Sequence, residues 1–500
     1  MIIKKKNIEL NKIFVGGDFQ ILQYLWLVPV LNGYCSKNNV QTIIFEYKKD
    51  LENLMQTSSF LKFSKTYNIV YLDDILPLWF KFKILQILIL FLSTFFLAIK
   101  VRYFKKLFLK DNHSMSIYTG IYDFAFRGSK NLIYPSFYSI LFSSFYFLQK
   151  HYKAKFLVKN NISSAFLGHS VYHSRAFFNE FRKNQIRFFC SSWNLYLQKN
   201  IEDTMWDFPS LDFFRKAFKF LKNEQVDNYW NKRLIGKGNY EGSNNASSLG
   251  EFKEEKIIKN IIFLHIFKDT PNHYIDNNKI FNNYVDWVTE TLKIISFSNE
   301  DWLIKLHPSY IKWGEDQPKI IEKIISVVSR DYNLNNVYLD DLKISNISIF
   351  KNAHKIITYS GTSAIEAACF GIKPITISAN ALHLLDKKIV YKPINIEEYR
   401  SLILKKWKFE IFSLDEKEII VSKKLLFIRE NILNLLSEIE YNYIYVSKEY
   451  FSSNGEIFKK YSKTINKKKS YLTALGESLG NSLTHTISEN YLNYILKNNL

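Results

Sequence analysis

The chain has 500 residues and a mass of 59.3 kDa. This length is too great for a single hydrophobic core, so two domains of roughly 200 residues each are expected. A hydrophobic fraction of 47% and a charged fraction of 23% are typical of globular proteins and exclude a wholly disordered chain. Cys35, Cys190 and Cys369 lie far apart in the sequence, which excludes a disulfide scaffold and a cysteine-based zinc site and favours a reducing compartment.

The chain is strongly basic, with 68 Lys and Arg against 47 Asp and Glu, which gives a formal net charge of +21. Such a charge favours anionic partners, namely phosphates, anionic lipid, nucleic acid or acidic glycan. A base-composition bias in the gene would also enrich Lys, Asn, Ile, Phe and Tyr, so the charge alone identifies no ligand. A nucleic-acid binder is the least favoured class, because no basic helix or aromatic β-platform of the usual kinds is present.

Strands and helices alternate through residues 1–235, after an N-terminus without the pattern of a signal peptide. This alternation predicts an N-terminal α/β domain built on an open parallel sheet. The predicted strands are 13–17, 41–48, 68–74, 165–170 and 186–192.

Residues 84–99 form an uncharged apolar run of 16 residues, with basic residues on both sides. As a helix this run is about 24 Å long, short of the roughly 30 Å hydrocarbon core of a bilayer. Three interpretations stay open: a buried core helix, a helix lying in a membrane interface, and a true membrane span. The interfacial interpretation agrees with the net positive charge and with the aromatic content of 17%.

Residues 236–256 are rich in Gly, Ser and Asn without periodicity, which predicts a linker. Residues 257–406 then repeat the alternation and predict a second doubly wound α/β domain. Residues 407–500 predict a mainly helical tail. Within that tail, 414–440 has apolar residues at helical spacing, and we expect it to pack back against the N-terminal domain. The strands predicted in the second domain are 257–267, 301–308, 337–341, 354–360 and 373–378.

In open parallel sheets ligands bind beyond the carboxyl ends of the strands, and the strongest motif lies at such a position. The hydroxyls of Ser360, Thr362 and Ser363, with the free N–H groups of the helix that follows, predict a phosphate cradle. Gly361 would let the backbone approach a ligand closely, and Glu366 could accept hydrogen bonds from ribose hydroxyls. Plain helix capping by Thr362 is the alternative interpretation.

A second motif, Lys305-Leu306-His307-Pro308, ends a predicted strand and leaves His307 at the carboxyl edge of the sheet. A cationic or hydrogen-bonding histidine there suits a diphosphate or a departing phosphate, although an ordinary loop histidine is also possible. In a third segment, Asp269 follows the first strand of the second domain, while His265 fits a core histidine better than a ligand-binding one. No carboxylate is spaced with these histidines as a metal site needs, so we expect neither metal nor cofactor.

Several polar residues of the N-terminal half follow predicted strands or interrupt an aromatic run, and they are candidates for contact with a second substrate. Each is also compatible with ordinary loop chemistry. They are Asp18, Asp123, Arg127, His169, Tyr172 and Arg175.

These motifs together resemble the bacterial capsule polysaccharide biosynthesis proteins, which are GT-B glycosyltransferases. The resemblance is carried by K-x-H-P and, about 50 residues later, S-G-T-S-x-x-E-A-x-x-x-G-x-x-P. The H-x-F-x-D-x-P-N/H segment from His265, the F-x-x-Y-x-x-W helix from Phe281 and the sequence IYDFAFRG at 121–128 are similar to the same group. The resemblance covers 257–406 well and 120–200 loosely. Many relatives have a charged residue before the Gly-Thr, where this chain has Tyr359-Ser360, so the nucleotide stays open.

The resemblance implies two Rossmann-type domains facing a cleft. A nucleotide-sugar donor would be held mainly by the C-terminal domain, and a glycan or lipid-linked acceptor would face the N-terminal domain. By the same resemblance His307 would contact the donor phosphate, with Lys305 beside it, and the Ser360–Ser363 turn would hold phosphate. Glu366 would contact the ribose. Displacement at an anomeric carbon also needs a base, for which Asp269 and Asp18 are the candidates.

The expected function is therefore a metal-independent glycosyltransferase of surface polysaccharide synthesis, cytoplasmic and peripheral at the inner face of the membrane. Two enzymes of the same fold are alternatives, a sugar-nucleotide 2-epimerase and a polyol-phosphate transferase. A peripheral membrane scaffold with a degenerate nucleotide fold is the non-enzyme alternative. The presence of both the His-Pro and the Ser-Gly-Thr-Ser motif counts against a scaffold, which needs neither.

Overall fold

A computed structural model provides the structure of most of the chain. The described residues are 11–17, 21–47, 58–108, 110–127, 134–168, 171–191, 195–197, 211–237, 257–269, 280–281, 283–311, 314–340, 344–377, 388–432 and 469–481. The strands are β1 Asn11–Gly16, β2 Val40–Phe45, β3 Asn68–Tyr71, β4 Ile162–Leu167, β5 Arg187–Ser191, β6 Leu195–Leu197, β7 Asn260–Phe263, β8 Trp302–Lys305, β9 Val337–Asp340, β10 Lys355–Thr358 and β11 Ile375–Thr376.

Helices separate most of these strands, as a doubly wound fold requires. The helices are α1 Ile21–Lys37, α2 Ser58–Thr66, α3 Leu72–Ile75, α4 Leu78–Lys81, α5 Lys83–Tyr103, α6 Lys105–Phe108, α7 Asn112–Arg127, α8 Phe137–Lys159, α9 Arg175–Lys183, α10 Leu211–Phe220, α11 Asn223–Leu234, α12 Tyr284–Ile295, α13 Gln317–Val328, α14 Asn346–Asn352, α15 Ser363–Cys369, α16 Ile396–Leu404, α17 Phe409–Phe412, α18 Glu416–Phe427 and α19 Lys469–Asn481.

The chain divides into two compact units. The first unit comprises residues 1–124, 137–207 and 442–500, and the second comprises 125–136 and 208–441. Each unit contains one sheet, so the predicted pair of α/β domains is confirmed.

The sheet of the first unit has the strand order β3-β2-β1-β4-β5-β6, in which only the edge strand β6 is antiparallel. This is the order of a doubly wound Rossmann fold, whose chain reverses direction across the sheet between β1 and β4. The central strands are covered on both faces, as the complete burial of Ile13, Phe14 and Phe166 shows. Such two-sided burial explains why the strands are continuous apolar runs in the sequence.

The sheet of the second unit is entirely parallel, with the order β11-β10-β7-β8-β9. Counted from β7, this is again the Rossmann order, and the reversal lies between β7 and β10. Ligands of such sheets bind outside the carboxyl ends of the strands at this reversal. The segments that follow Phe263 and Thr358 are therefore the expected ligand-binding position of this unit.

The predicted domain boundary at residue 235 is wrong, because α10 and α11 belong to the second unit. Both helices pack on α18, where the rings of Tyr229 and Phe427 lie 5.6 Å apart. The predicted linker 236–256 therefore connects two parts of one unit instead of joining two domains. Its residues 238–256 lie outside the described residues.

The predicted packing of 414–440 on the N-terminal domain is also wrong for its described part. Helix α18 packs on α11 and α15 within the second unit, whereas the later helix α19 packs on α1 in the first unit. The backbones of α1 and α19 approach so closely that a Cβ atom added at Gly33 would lie 1.9 Å from the Thr473 carbonyl oxygen. A Cβ atom at Gly476 would lie equally close to the carbonyl oxygen of Val30, so this crossing requires both glycines.

Helix α5 contains the apolar run 84–99, and it is not enclosed by the fold. Among the described residues it is the one helix long and apolar enough to cross a membrane, and 22% of its most apolar window is buried. The interpretation of this run as a buried core helix is therefore wrong.

Candidate functional site

The Ser360–Ser363 turn follows β10 at the strand-order reversal of the second unit, and His265 holds it in place. The Nε2 atom of His265 accepts a hydrogen bond from the Ser360 N–H at 3.0 Å and lies 3.2 Å from the Thr358 hydroxyl oxygen. The Gly361 N–H donates to that same hydroxyl oxygen at 3.3 Å. The turn after β10 is thus tied to the segment after β7.

The tautomer of His265 follows from these contacts. Burial, with a smaller contribution from nearby His307, lowers the pKa of His265 to about 3, so the imidazole is neutral at pH 7. Since Nε2 accepts a hydrogen bond, the proton of the neutral ring lies on Nδ1. The expectation of a core histidine is met, and this core histidine also positions the candidate site.

Gly361 is needed for close packing inside the turn. A Cβ atom there would lie 2.8 Å from the Ser363 hydroxyl oxygen and 2.9 Å from that of Thr358. Any larger residue would therefore push apart the hydroxyl groups that surround the turn.

The aromatic residues of the F-x-x-Y-x-x-W helix pack behind the turn. The ring of Tyr359 lies 4.5 Å from that of Tyr284 and 5.6 Å from that of Trp287. The indole N–H of Trp287 donates to the Tyr399 hydroxyl at 3.0 Å, and Phe281 packs on the same tyrosine. All five side chains are almost fully buried, so this motif supports the turn from the core.

The turn keeps hydrogen-bond donors for a ligand. The hydroxyl of Thr362 makes no capping bond to α15, so the interpretation of this residue as a plain helix cap is not supported. Within the described part of the chain, the N–H groups of Thr362 and Ser363 donate no hydrogen bond. The N–H groups of Ser360 and Gly361 are occupied by their bonds to His265 and Thr358.

His307 follows β8 at the same carboxyl edge of the sheet, is partly buried, and lies near enough to His265 to affect its pKa. Its Nδ1 accepts a hydrogen bond from the Ser309 N–H at 3.1 Å. Burial lowers the pKa of His307 to about 4, so the ring is neutral at pH 7 and carries its proton on Nε2. The structure therefore presents His307 as a neutral hydrogen-bond donor, not as a cation.

Gln317 connects the two histidines, and sequence analysis missed it. Its fully buried amide donates to the His265 carbonyl at 2.8 Å and accepts from the His307 N–H at 2.9 Å. It also donates to the Glu315 carboxylate at 3.0 Å, and that carboxylate accepts the Lys268 N–H at 2.5 Å. Burial raises the pKa of Glu315. The only sequence signal was a Gln beside Pro318 at a helix start, a common helix opening that indicates nothing about long-range contacts.

Lys305 does not reach the candidate site. Its side chain is 1% exposed, and its ammonium group donates to the Asp340 carboxylate and to the Ile344 carbonyl. This burial argues against a contact between Lys305 and a nucleotide-sugar, because the ammonium group is already paired inside the sheet.

Glu366 is directed into the second unit by an ion pair with Arg233, which also lies 3.3 Å from the Glu430 carboxylate. The Tyr229 hydroxyl donates to that second carboxylate. Glu366 is 6% exposed, so a contact with ribose stays a prediction that the pairing with Arg233 does not favour. The sequence offered no signal for this cluster, since Arg233 and Glu366 are 133 residues apart.

Of the two candidate bases, Asp269 and Asp18, the structure describes only Asp269. Asp269 lies in the turn after β7, at the same carboxyl edge as His265, and its N–H donates to the Ile266 carbonyl at 3.2 Å. Asp18 lies outside the described residues.

The residues predicted to face the acceptor do not form one described cluster. Tyr172 has the left-handed φ of +54°, and a Cβ atom at Gly120 would lie 2.8 Å from its carbonyl oxygen. Asp123 and Arg175 are buried, at 1% and 5% exposure. Arg127 is exposed at the end of α7 and belongs to the second unit. His169 lies outside the described residues.

His173 was not singled out as a site residue, and the structure gives it a packing role in the first unit. The Ser143 hydroxyl donates to the Ile121 carbonyl at 2.7 Å, so its oxygen accepts from Nε2 of His173, 3.2 Å away. The ring also lies 3.7 Å from that of Phe124. This histidine joins α7, α8 and the segment after β4.

The two site histidines predict an acid-dependent loss of stability. Between pH 6.5 and about 4 the unfolded chain binds protons at both imidazoles while the folded chain does not, so the free energy of unfolding falls as the pH falls. Urea unfolding at pH 7 and pH 5 should show a smaller loss for His307→Gln and for His265→Gln than for the unchanged chain. The same loss in all three proteins would mean that both imidazoles titrate normally in the folded state.

Comparisons with known proteins leave the family open. No model of a known protein family matches the sequence, and no curated protein matches it significantly. Several solved structures match the chain at low TM-scores. The Thermosulfurimonas dismutans KpsC, a beta Kdo 2,4 transferase, has a TM-score of 0.29 at 8% identity, over 52% of this chain and 79% of that one. The Neisseria meningitidis UDP-GlcNAc 2-epimerase bound to UDP-GlcNAc has a TM-score of 0.27 at 10% identity, over 84% and 99%. A trehalose-6-phosphate synthase has a TM-score of 0.33 at 10% identity, over 87% and 98%. At these TM-scores and identities the likenesses define neither an activity nor a family for this chain.

Proposed function

We propose that the chain is a GT-B glycosyltransferase that uses a nucleotide-activated sugar in the synthesis of capsule or another surface polysaccharide. The observation that carries this proposal is a set of uncharged hydrogen-bond donors at the carboxyl edge of the second unit's sheet, after β8 and β10. They are the N–H groups of Thr362 and Ser363, the hydroxyls of the turn and the Nε2–H of His307. The resemblance of the motifs to capsule biosynthesis proteins supports the same assignment.

A diphosphate matches this arrangement because its oxygens are acceptors and carry negative charge. His265 and Thr358 hold the turn through the Ser360 and Gly361 N–H groups before any ligand binds. Little conformational entropy is therefore lost when the diphosphate binds to the neighbouring N–H groups of Thr362 and Ser363. Diphosphate binding by Ser360, Thr362 and Ser363 and a ribose contact by Glu366 are parts of this proposal.

The proposed reaction breaks the bond between the anomeric carbon and the diphosphate oxygen and forms a bond from that carbon to an acceptor hydroxyl oxygen. The acceptor proton passes to a base, for which we propose Asp269, with Asp18 as the alternative. The bonding electrons leave with the diphosphate oxygen, which gains negative charge as the bond breaks. The donor N–H of His307 then forms a stronger hydrogen bond in the transition state than in the ground state, and that difference is what accelerates a reaction.

The proposal places the chain in the cytoplasm at the inner face of the membrane, acting on a glycan or lipid-linked acceptor. All three cysteines are buried free thiols, which is consistent with a reducing compartment. We also propose that the reaction needs no metal, so transfer should proceed unchanged in excess EDTA.

A thermal-shift panel of UDP-, CMP-, CDP- and GDP-linked compounds, which includes sugars and polyols, tests the donor site. One nucleotide class should raise the Tm of the chain. The double variant Ser360→Ala, Thr362→Val should need at least a tenfold higher ligand concentration for the same rise in Tm. Ser326→Ala, an exposed serine on α13, is the matched control and should leave the shift unchanged. If no nucleotide class raises the Tm, the turn is not a donor site.

The reaction class is tested by incubating the donor that binds in D₂O and following it by proton NMR. A transferase should release nucleotide only when an acceptor glycan is added, with no exchange at the sugar C2. Deuterium at C2 and a new epimer, without an acceptor, would assign the 2-epimerase alternative. Transfer of a polyol phosphate to the acceptor would assign the third enzyme class.

A further inference from the structure

Helix α5 has the reverse of the amphipathic pattern of a soluble helix. The helix packs against α8, and its buried stripe contains Gln86, Thr94, Ala98 and Val101. The outward face consists of large apolar side chains that are each more than half exposed. These are Ile84, Leu88, Ile89, Phe91, Leu92 and Phe96, and we call them the apolar face. A helix in water would turn these side chains inward, so this helix is built for an apolar medium on its outer side.

The apolar face continues onto α8, the neighbouring helix of the first unit. The rings of Phe95 and Phe137 lie 6.1 Å apart, which joins α5 to the start of α8. Tyr138 and Phe142 on α8 are also exposed. Contiguous apolar surface of this extent is rare on monomers that stay in water and marks a membrane or protein contact.

The positive charge around the apolar face favours an anionic membrane as its partner. From Ile75 to Lys110 the sequence contains seven Lys and Arg residues and no Asp or Glu. Lys81 and Lys83 lie at one end of α5, and Lys100 and Lys106 lie exposed at the other end. Apolar side chains flanked by cations match the acyl and headgroup layers of an anionic bilayer.

The packing of α5 decides between lying on the membrane and crossing it. The buried stripe runs from Gln86 to Val101, so α5 is held along most of its length. Gln149 on α8 donates to the Gln86 side chain, and α8 in turn covers the sheet through Ala154 and Leu157. A helix fixed sideways on an α/β unit cannot enter a bilayer end-on without that unit.

We propose that the apolar face of α5 inserts into the interface of an anionic lipid membrane, with the helix parallel to the surface and the flanking lysines among the headgroups. This inference rests on α5 and α8 of the first unit and does not depend on the proposed glycosyl transfer, whose donor-binding residues lie in the second unit. A protein without transferase activity could still bind vesicles, and a transferase could fail to bind them.

Cosedimentation of the full chain with vesicles of 70% phosphatidylcholine and 30% phosphatidylglycerol tests the proposal. The chain should bind these vesicles, and Leu88→Asp with Leu92→Asp should weaken binding at least tenfold. Ile394→Asp with Phe409→Asp, which places the same two charges at 81% and 64% exposed positions of the second unit, is the matched control and should bind like the unchanged chain. Binding should also weaken as NaCl rises from 0.1 to 0.5 M.

Insertion is measured directly by a fluorophore at position 92. The three native cysteines are buried, so NBD labelling of Leu92→Cys is selective for the new thiol. Its emission should shift to the blue with these vesicles, whereas NBD on Ile394→Cys should not shift.

Three outcomes would overturn the proposal. Unchanged binding by the Leu88→Asp, Leu92→Asp variant would mean that charge alone attaches the chain. A dimer without vesicles that this variant dissociates would assign the apolar face to a second copy. Retention in the membrane at pH 11 and 1 M NaCl, with release only by detergent, would assign a span.

Discussion

Replacing His307 by alanine is expected to lower kcat/KM for sugar transfer by about 100-fold, the usual effect of removing one donor that stabilises developing charge. The expectation rests on the position of the ring at the end of β8 and on its tautomer. Because Nδ1 accepts the Ser309 N–H, Nε2 is the atom that can donate to the leaving diphosphate. His307→Gln, which keeps an N–H donor on a different side chain, should recover part of the loss.

Two controls separate this role from a structural one. His354 lies next to the amino end of β10, where its ring stacks on Trp407 at 4.0 Å, so His354→Ala should leave turnover unchanged. The affinity for the nucleotide-sugar should change less than kcat in His307→Ala, because the donor acts mainly on charge that develops in the transition state. If turnover equals that of the unchanged chain, His307 is an ordinary loop residue.

The two Rossmann-type units were predictable because their signals are local. Short apolar strands that alternate with helices indicate a parallel sheet, and parallel strands place their carboxyl ends at one edge. The positions of His307 and of the Ser360–Ser363 turn followed from that rule alone. The charge state of His307 did not, because the pKa of an imidazole depends on burial that the sequence does not show.

Features that depend on distant partners were not predictable. Arg233 was assigned to the wrong domain because its partners, Glu366 and Glu430, come from far along the chain. Gln317 was missed for the same reason, since its contacts are with the segments after two other strands. The orientation of α5 did leave a signal: Gln86, Thr94 and Ala98 are spaced by eight and four residues and form one stripe.

Replacing Lys305 by methionine is expected to lower the free energy of unfolding by about 3–5 kcal/mol, the usual cost of leaving one member of a buried ion pair without its partner. The Lys305 side chain is 1% exposed and that of Asp340 is 2% exposed, so neither is compensated by water. The Asp340 carboxylate also accepts the Ile344 N–H at 3.3 Å, a neutral donor that does not replace the lost cation. Urea unfolding at pH 7 measures the loss.

The double variant Lys305→Met, Asp340→Leu distinguishes a structural pair from a donor-binding lysine. Removing both charges should restore most of the lost stability, because two apolar side chains fill the same space and no buried carboxylate is left without its cation. Nucleotide-sugar affinity and turnover of the double variant should then match those of the unchanged chain, since the ammonium group does not reach the turn after β10. If stability returns while nucleotide affinity stays at least tenfold weaker, Lys305 contacts the donor and its burial in the sheet is relieved when the donor binds.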